Sequence, residues 1–425
     1  MKRFTMYITS ERRTTFMKKS KIVILGGGYG GLITSRKLES LLKDNEAEVT
    51  LINKHEYHYV ATQLHKTGAG TASDDKITLH IPDLLKTNKV QFKKGTVDKV
   101  DFSQQQVCLE NGERVEYDFL VLALGYEVDT FGIPGVEENA FKIRSFRSTK
   151  AIYNHIIHQF EAFQEDQDPS RLTFAVAGAG FTGVEMIGEL VEAMPGLCSK
   201  YSVPVSKTRI INIEASGTVL PGFDKKAIEF ATNYVKKHGV ELMTSTKIME
   251  CTPTSIKLDN GTNLPARTLI WSGGVRGNRL LEKLDVPVER SRVKVDKYLR
   301  VEGMTNVFCI GDAARFMKND KDVLPPTAQV AIQQAEVCGP NLIAALRGES
   351  LSTFEYNHKG TVASIGNSAA VGNVFGFKIT GLFAALMKQV VEARYLFVLG
   401  GPALVVKQFS KIRKPYQQVS VSRNK

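Results

Sequence analysis

One stretch, Lys21 to Gly31 (KIVILGGGYGG), constrains the fold more than any other. Ile22 to Leu25 is an unbroken run of branched apolar residues, the pattern of a parallel strand covered on both faces. It turns at once into glycines and then into a helical stretch from Leu32 to Leu42. Gly26, Gly28 and Gly31 carry the G-x-G-x-x-G spacing. Gly26 permits a tight turn, Gly28 lets backbone N–H groups approach a pyrophosphate, and Gly31 lets the helix pack on the strand with its positive end toward the phosphates. Alone, this pattern also describes an ordinary turn. A second copy decides between the two readings. Leu172 to Gly183 (LTFAVAGAGFTG) sets Gly178, Gly180 and Gly183 between a strand-like run and an apolar-periodic helix, Val184 to Val191. A chain with two such cradles most economically holds two dinucleotides, and the usual purpose of that pair is electron passage between a nicotinamide and a flavin.

With 425 residues the chain is too long for one core, and about two to three domains are expected. Its net charge of +12 favours anionic partners, whether nucleotides, acidic membrane surfaces or nucleic acid, without choosing among them. No nucleic-acid partner is expected. Five cysteines (Cys108, Cys198, Cys251, Cys309, Cys338) stand far apart, with neither a C-x-x-C pair nor metal-ligand spacing. A dithiol relay is therefore disfavoured, and electrons leaving a flavin here go elsewhere. His55, His58 and His65 are spaced for one helical face, but no carboxylate or cysteine completes a ligand set, so no metal is assigned. Residues 1–19 are basic and lack the apolar core of a secretory signal, and they read as a disordered extension.

Along the chain, Glu48 to Ile52 is the second strand of the first cradle. Asn53 at its end occupies the ribose position where an acid is usual; its amide oxygen still accepts from a hydroxyl, and Lys54 adds a charge. Val90 to Glu116 alternates like an antiparallel meander with a hairpin at Asn111-Gly112. Tyr117 to Gly125 is a buried strand whose glycine end brings bare backbone toward a cofactor. Gly125 to Arg147 reads as a domain crossing, and a helix is expected around Thr149 to Phe163. In the second cradle Ile210 to Ile213 ends in Glu214, whose carboxylate binds ribose hydroxyls and repels a 2′-phosphate, favouring NAD over NADP. The spacing to Glu214 is stretched by a long connection, Ala193 to Lys207.

Glu185 falls in the first turn of the second cradle helix. It pairs there with the helix dipole, or, if desolvated against flavin and nicotinamide rings, its pKa rises toward the working pH and it relays protons. Thr268 to Gly274 is where the chain returns to the first domain. Asn306 to Asp312 ends a strand in Gly311 and Asp312, placed to hydrogen-bond a ribityl hydroxyl. Pro325 to Gln334 reads as a proline-initiated helix with small Ala328 and Ala331 and with Gln329, Gln333 and Gln334 as neutral donors and acceptors.

The ordered set GGGYGG, LALG, AGAGFTGVE, WSGG, IGD and AQVAIQQ resembles the type II NADH:quinone oxidoreductases, single-subunit flavoproteins of respiratory membranes. The resemblance runs from about Lys21 to Lys414. It implies an α/β fold of two Rossmann-like dinucleotide-binding domains, with FAD in residues 20–130 and 266–345, NADH in 131–265 and a C-terminal membrane-associating helical region in 346–425. Carried over residue by residue, FAD contacts fall on Gly26, Gly27, Gly28, Tyr29, Gly30, Asn53, Lys54, Val97, Asp312, Ala328 and Lys388. Glu185 matches the catalytic glutamate, and Gln329 and Gln333 match quinone-side glutamines. The implied place is the cytoplasmic face of the cell membrane, peripheral and non-pumping; a homodimer stays open. Two rivals remain: a soluble flavin reductase with another acceptor, and a sensor that binds NADH without turnover.

The C-terminus supports lipid contact without crossing. Its longest uncharged run, Tyr395 to Val406, is shorter than the ~20 residues a span needs. Val405, Phe409, Ile412 and Tyr416 recur on one helical side and Lys407, Lys411 and Lys414 on the other, so an anionic membrane surface is the expected partner.

Overall fold

The apolar run after Lys19 forms the strand Ser20–Leu25, and its neighbours follow from the same composition. Ala47–Asn53 and Phe119–Leu122 pair with it in parallel, one on each side. Val90–Lys94 and Val307–Cys309 close the two edges of a five-stranded sheet. A second five-stranded parallel sheet repeats the plan with Thr173–Ala177 at its centre, between Arg209–Ile213 and Thr268–Trp271. Each sheet carries its own buried aliphatic core. This computed structural model describes residues 19–319 and 321–411. The N-terminal extension and the tail residues Ile412, Lys414 and Tyr416 lie outside the described residues.

Several local expectations shift. Val90–Lys94 is not part of the antiparallel meander, which begins at Val97–Asp101; it pairs in parallel with the second strand. The first cradle helix runs Tyr29–Leu41 and begins three residues before Leu32, because Gly28 is its N-cap. The second, Phe181–Lys200, passes through Pro195, so most of the expected connection from Ala193 to Lys207 is helix. The helix Phe146–Asp166 starts on a Ser145/Ser148 capping box. Pro325 starts no helix: Thr327 caps Ala328–Arg347 by accepting from Val330 N–H at 3.3 Å. That helix lies against the first cradle helix.

An antiparallel ribbon, Tyr126–Val128 against Val275–Gly277, carries the chain from the first sheet to the second and back. The chain then adds a three-stranded meander, residues 360–380, and the helix Gly381–Phe409, which breaks at Gly401 (φ +74°) just before Pro402. One side of this helix buries Ala384, Ala385, Tyr395, Leu396 and Leu399. The other leaves Leu382 and Phe383 72% and 60% exposed, continued by Leu386, Val390 and Phe397. Val405, expected on the lipid side, packs instead against the first domain's core. No described helix is long and apolar enough to cross a membrane.

Candidate active site

The two cradles are built alike. Gly26 N–H donates to Ile52 O and Gly178 N–H to Ile213 O, each at 2.8 Å, so both glycine turns hang from the second strand of their sheet. Gly26 and Gly178 take φ of +108° and +91°, a region open to glycine. A Cβ on Gly31 would stand 1.8 Å from Gly26 O, and one on Gly183 2.0 Å from Gly178 O. Each helix therefore touches the turn that leaves its strand backbone to backbone. At Gly28 and Gly180, by contrast, an added Cβ meets nothing within 4 Å, and no described side chain caps either helix. Both helix starts thus point N–H groups at open space, as an anion requires.

The residues at the two ribose positions brace the same turns. Gly27 N–H donates to Asn53 Oδ1 at 3.0 Å, while Asn53 Nδ2 donates to His55 O at 2.7 Å. Glu214 accepts from Ala179 N–H at 2.5 Å and Ser216 N–H at 2.6 Å. Asparagine thus fulfils the structural half of the acid's role without its charge. Lys54 follows Asn53, its pKa lowered by burial and by Arg144. Val97 opens the meander two residues past Gly95, whose N–H donates to Asn53 O at 3.0 Å. The strand expected over Tyr117 to Gly125 is shorter, Phe119–Leu122, and Gly125 follows it in the link to Tyr126–Val128 with φ +72° and open space around it.

Asp312 shows that the first cradle expects a ligand. Its Oδ1 is buried without a hydrogen-bond partner, and burial pushes its pKa up to about 6 despite the nearby Arg292 guanidinium. A sugar hydroxyl is the donor such an oxygen lacks. Gly311 positions it by donating its N–H to the buried Gln334 Oε1 at 2.7 Å. An orphaned acceptor at Asp312 and an uncapped helix start at Gly28 fit FAD.

Tyr29 packs against Tyr395 of the C-terminal helix, ring centroids 4.5 Å apart. Burial lowers the His58 pKa to about 4, so the ring is neutral. Its Nδ1–H donates to Gly27 O at 3.0 Å, leaving Nε2 to accept from Tyr395 O–H at 2.8 Å. Gln329 and Gln333 are occupied: Gln329 Oε1 accepts from Tyr356 O–H and Lys359 N–H, and Gln333 exchanges two hydrogen bonds with the Asn357 backbone. Both hold the segment 356–360 against the helix that Ala328 begins.

Glu185 lies where the second cradle helix, the short helix Leu64–Ala69, the strand Gly360–Ser364 and the C-terminal helix meet. It is 6% exposed. Its Oε1 accepts from Lys388 Nζ and, at 3.3 Å, from Ser364 N–H and Oγ. The expectation of a raised pKa is corrected here. Burial pushes it up, but Lys388 and the other partners outweigh burial and hold it below the usual carboxylate range.

On the same helix face a raised carboxyl does occur, Glu189, one turn later. Burial is the main cause and carries it to about 7, reinforced by Glu192 and Glu185 and opposed by Thr71 and Lys66. An acid whose folded pKa exceeds its unfolded one costs stability as pH rises from about 4.5 to about 7. Glu189→Gln is therefore expected to stabilise the protein at pH 8 by up to about 3 kcal/mol, and not at pH 4, as measured by urea unfolding. Among the described residues no group of three His, Cys, Asp or Glu is placed to hold a metal.

Residues 20–335 match the family model of pyridine nucleotide-disulphide oxidoreductases, and the chain belongs to that family. Within it the relatives are more particular: type II NADH:quinone oxidoreductases from Staphylococcus haemolyticus and Staphylococcus aureus are each 39% identical over 396 residues, covering 92% of this chain and 98% of theirs. The chain is thus a member of the type II NADH:quinone oxidoreductases. The fold matches NDH2 from Plasmodium falciparum, solved in complex with NADH, with a TM-score of 0.81 at 21% identity over 92% of this chain and 97% of that one. The sulfide:quinone oxidoreductase of Aquifex aeolicus matches at 0.72 and 18%, covering 92% and 96%.

Proposed function

We propose that this chain binds FAD in the first cradle and NADH in the second, and reduces a quinone by two electrons at the expense of NADH without moving protons across a membrane. The observation that carries this reading is the duplicated cradle, each copy with an uncapped helix start, the first with a buried acceptor awaiting a donor at Asp312. Bound FAD supplies the chemistry, accepting electrons in pairs from a nicotinamide and releasing them to an acceptor. The chain's residues do the rest. Gly26 to Gly31 and Gly178 to Gly183 hold the two pyrophosphates, Asn53 and Glu214 the riboses, and Asp312 the ribityl chain, with Val97, Gly125 and Ala328 lining the cofactor.

Glu185 and Lys388 form the polar pair toward the reacting rings. Lys388 offsets negative charge that reduction brings, and Glu185 takes up and returns a proton. Gln329 and Gln333 shape the quinone side by fixing residues 356–360. A dithiol acceptor is disfavoured because the cysteines are all free and four of the five are buried. The exposed apolar face from Phe375 to Phe397 lies on the cytoplasmic side of a membrane and receives a lipid-soluble quinone.

The test is anaerobic. NADH bleaches the flavin absorbance of the loaded protein, and added quinone restores it; a bleached flavin that quinone leaves unchanged would overturn the assignment of acceptor. Glu214 gives a second expectation, a preference for NADH over NADPH of roughly a hundredfold or more in kcat/KM. Glu214→Ala narrows that ratio, and equal use of both cofactors by the unaltered protein would remove Glu214 from the ribose.

A further inference from the structure

We propose that Thr71, Glu189 and His65 form a proton relay that carries one solvent proton per turnover from the turn at residues 70–72 to Glu185. The relay rests on the quinone-reductase reading above. That reaction balances as NADH + H⁺ + quinone → NAD⁺ + quinol: the nicotinamide delivers two electrons and one hydrogen, and the second hydrogen comes from water. Glu185 is buried, so the proton needs a route.

The geometry supplies one. Glu185 and Glu189 are four residues apart and share a helix face. His65, from the short helix opposite, reaches both: its Nδ1 is 3.3 Å from Glu185 Oε2, and its Nε2 is 4.0 Å from Glu189 Oε1. Nε2 and Oε1 are each buried with no hydrogen-bond partner, so two complementary orphans face one another. Leaving both unmade costs free energy that a purely structural arrangement would avoid. The other Glu189 oxygen accepts from Thr71 Oγ, which also lies 3.4 Å from Lys66 O in a half-buried turn leading to exposed Ser73.

The surrounding charges set the proton inventory. Lys66 faces the cluster from the short helix, Glu192 from the second cradle helix, with both its oxygens on Asn367, and Lys388 and Glu392 from the C-terminal helix. Burial holds His65 down to about 3, hence neutral, while Glu189 near 7 stores the proton. The step runs uphill at rest because Lys388 holds Glu185 ionised, and it is drawn forward as the quinone being reduced takes the Glu185 proton. In it, the Glu189 O–H bond breaks as His65 Nε2–H forms, and His65 Nδ1–H breaks as the proton passes to Glu185. Thr71 then gives its Oγ–H to Glu189 Oε2 and takes a replacement proton from water, and reorientation of the Glu189 carboxyl and the His65 ring restores the starting protonation pattern before the next turnover. Closing 4.0 Å to hydrogen-bond length takes on the order of 1 Å of side-chain motion.

The test uses FAD-loaded full-length protein. Infrared difference spectra across a pH titration should show a protonated-carboxyl stretch with a midpoint near 7, absent in Glu189→Gln and retained in Glu185→Gln. In stopped flow, Glu189→Gln should leave flavin reduction by NADH unchanged and slow reoxidation by quinone roughly a hundredfold, the low end of what a positioned proton donor contributes. Glu189→Asp should recover part of the rate, and isosteric Thr71→Val should slow reoxidation while keeping the infrared band. The relay is overturned if Glu189→Gln, still holding flavin, reoxidises at the unaltered rate, or if no such band disappears with it. An unaltered protein that never passes electrons to quinone would instead overturn the functional reading on which the relay rests.

Discussion

Lys388→Met is expected to destabilise the protein by about 3–5 kcal/mol, because it strands a buried carboxylate. Lys388 is the cation on Glu185. The remaining donors, Ser364 N–H and Oγ, stand at 3.3 Å, and His65 is neutral. Without the ammonium, burial outweighs the remaining Ser364 donors and the Glu185 pKa climbs. Glu185→Gln removes the charge instead and leaves the half-buried Lys388 without this counter-ion. The double variant Glu185→Gln/Lys388→Met removes both charges and should regain most of the loss, giving a coupling energy above about 2 kcal/mol in a double-mutant cycle. Urea unfolding of the four FAD-loaded proteins measures it. Additive losses would mean that the two groups do not form a pair in solution. Turnover gives an independent reading: Glu185→Gln should hold FAD and lose quinone-dependent NADH oxidation by roughly a hundredfold, the scale of a missing general acid–base group.

This pair shows where sequence reasoning reaches and where it stops. The glycine turns were legible because every constraint in them is local: Gly31 must touch Gly26 five residues away, and only glycine fits. Glu185 could be singled out for its place after Gly183, and Lys388 through family resemblance. That the two meet could not be read, since 203 residues separate them and only tertiary packing joins them. The raised-pKa expectation failed for the same reason, as desolvation was foreseeable and the counter-charge was not. Glu189, Thr71 and His65 were missed as a network, although the Glu185–Glu189 interval on an apolar helix was a usable signal.

Other differences have physical causes at the level of single elements. Val90–Lys94 alternates because it is the edge strand of its sheet, and an edge strand half open to solvent has the pattern of an antiparallel one. Pro195 and Pro340 lie within helices that continue past them, since packing on both sides outweighs the lost hydrogen bond. In the C-terminal region the pattern read as lipid-facing began too late. Val405 turns to the protein core, and the long exposed stripe lies upstream, where Leu382, Phe383 and Leu386 interleave with buried Ala384 and Ala385.

That stripe sets the second large expectation. Leu382, Phe383, Leu386 and Val390 are 72%, 60%, 55% and 52% exposed, and Phe375 and Phe377 extend the patch across the preceding turn at 72% and 75%. Side chains this exposed contribute little to the fold, so replacing the four helical ones by serine should leave thermal unfolding nearly unchanged. Each should instead remove roughly 1 kcal/mol of transfer into a lipid boundary, and the four together should weaken binding to vesicles on the order of a thousandfold. Removing the chain after Gly401 takes away exposed Val406 and Phe409 and six basic residues, Lys407, Lys411, Arg413, Lys414, Arg423 and Lys425, of which Lys411 is held by Asp75. That truncation should therefore weaken binding to anionic vesicles in a salt-sensitive way, by about 1 kcal/mol per free basic residue, and leave neutral vesicles less affected. The serine variant should lose both, and its reduction of a long-tailed quinone in vesicles should fall while that of a short water-soluble analogue persists. Vesicle binding undiminished by the four serines would move the lipid contact off this face, and binding abolished on neutral vesicles by truncation alone would place it beyond Gly401.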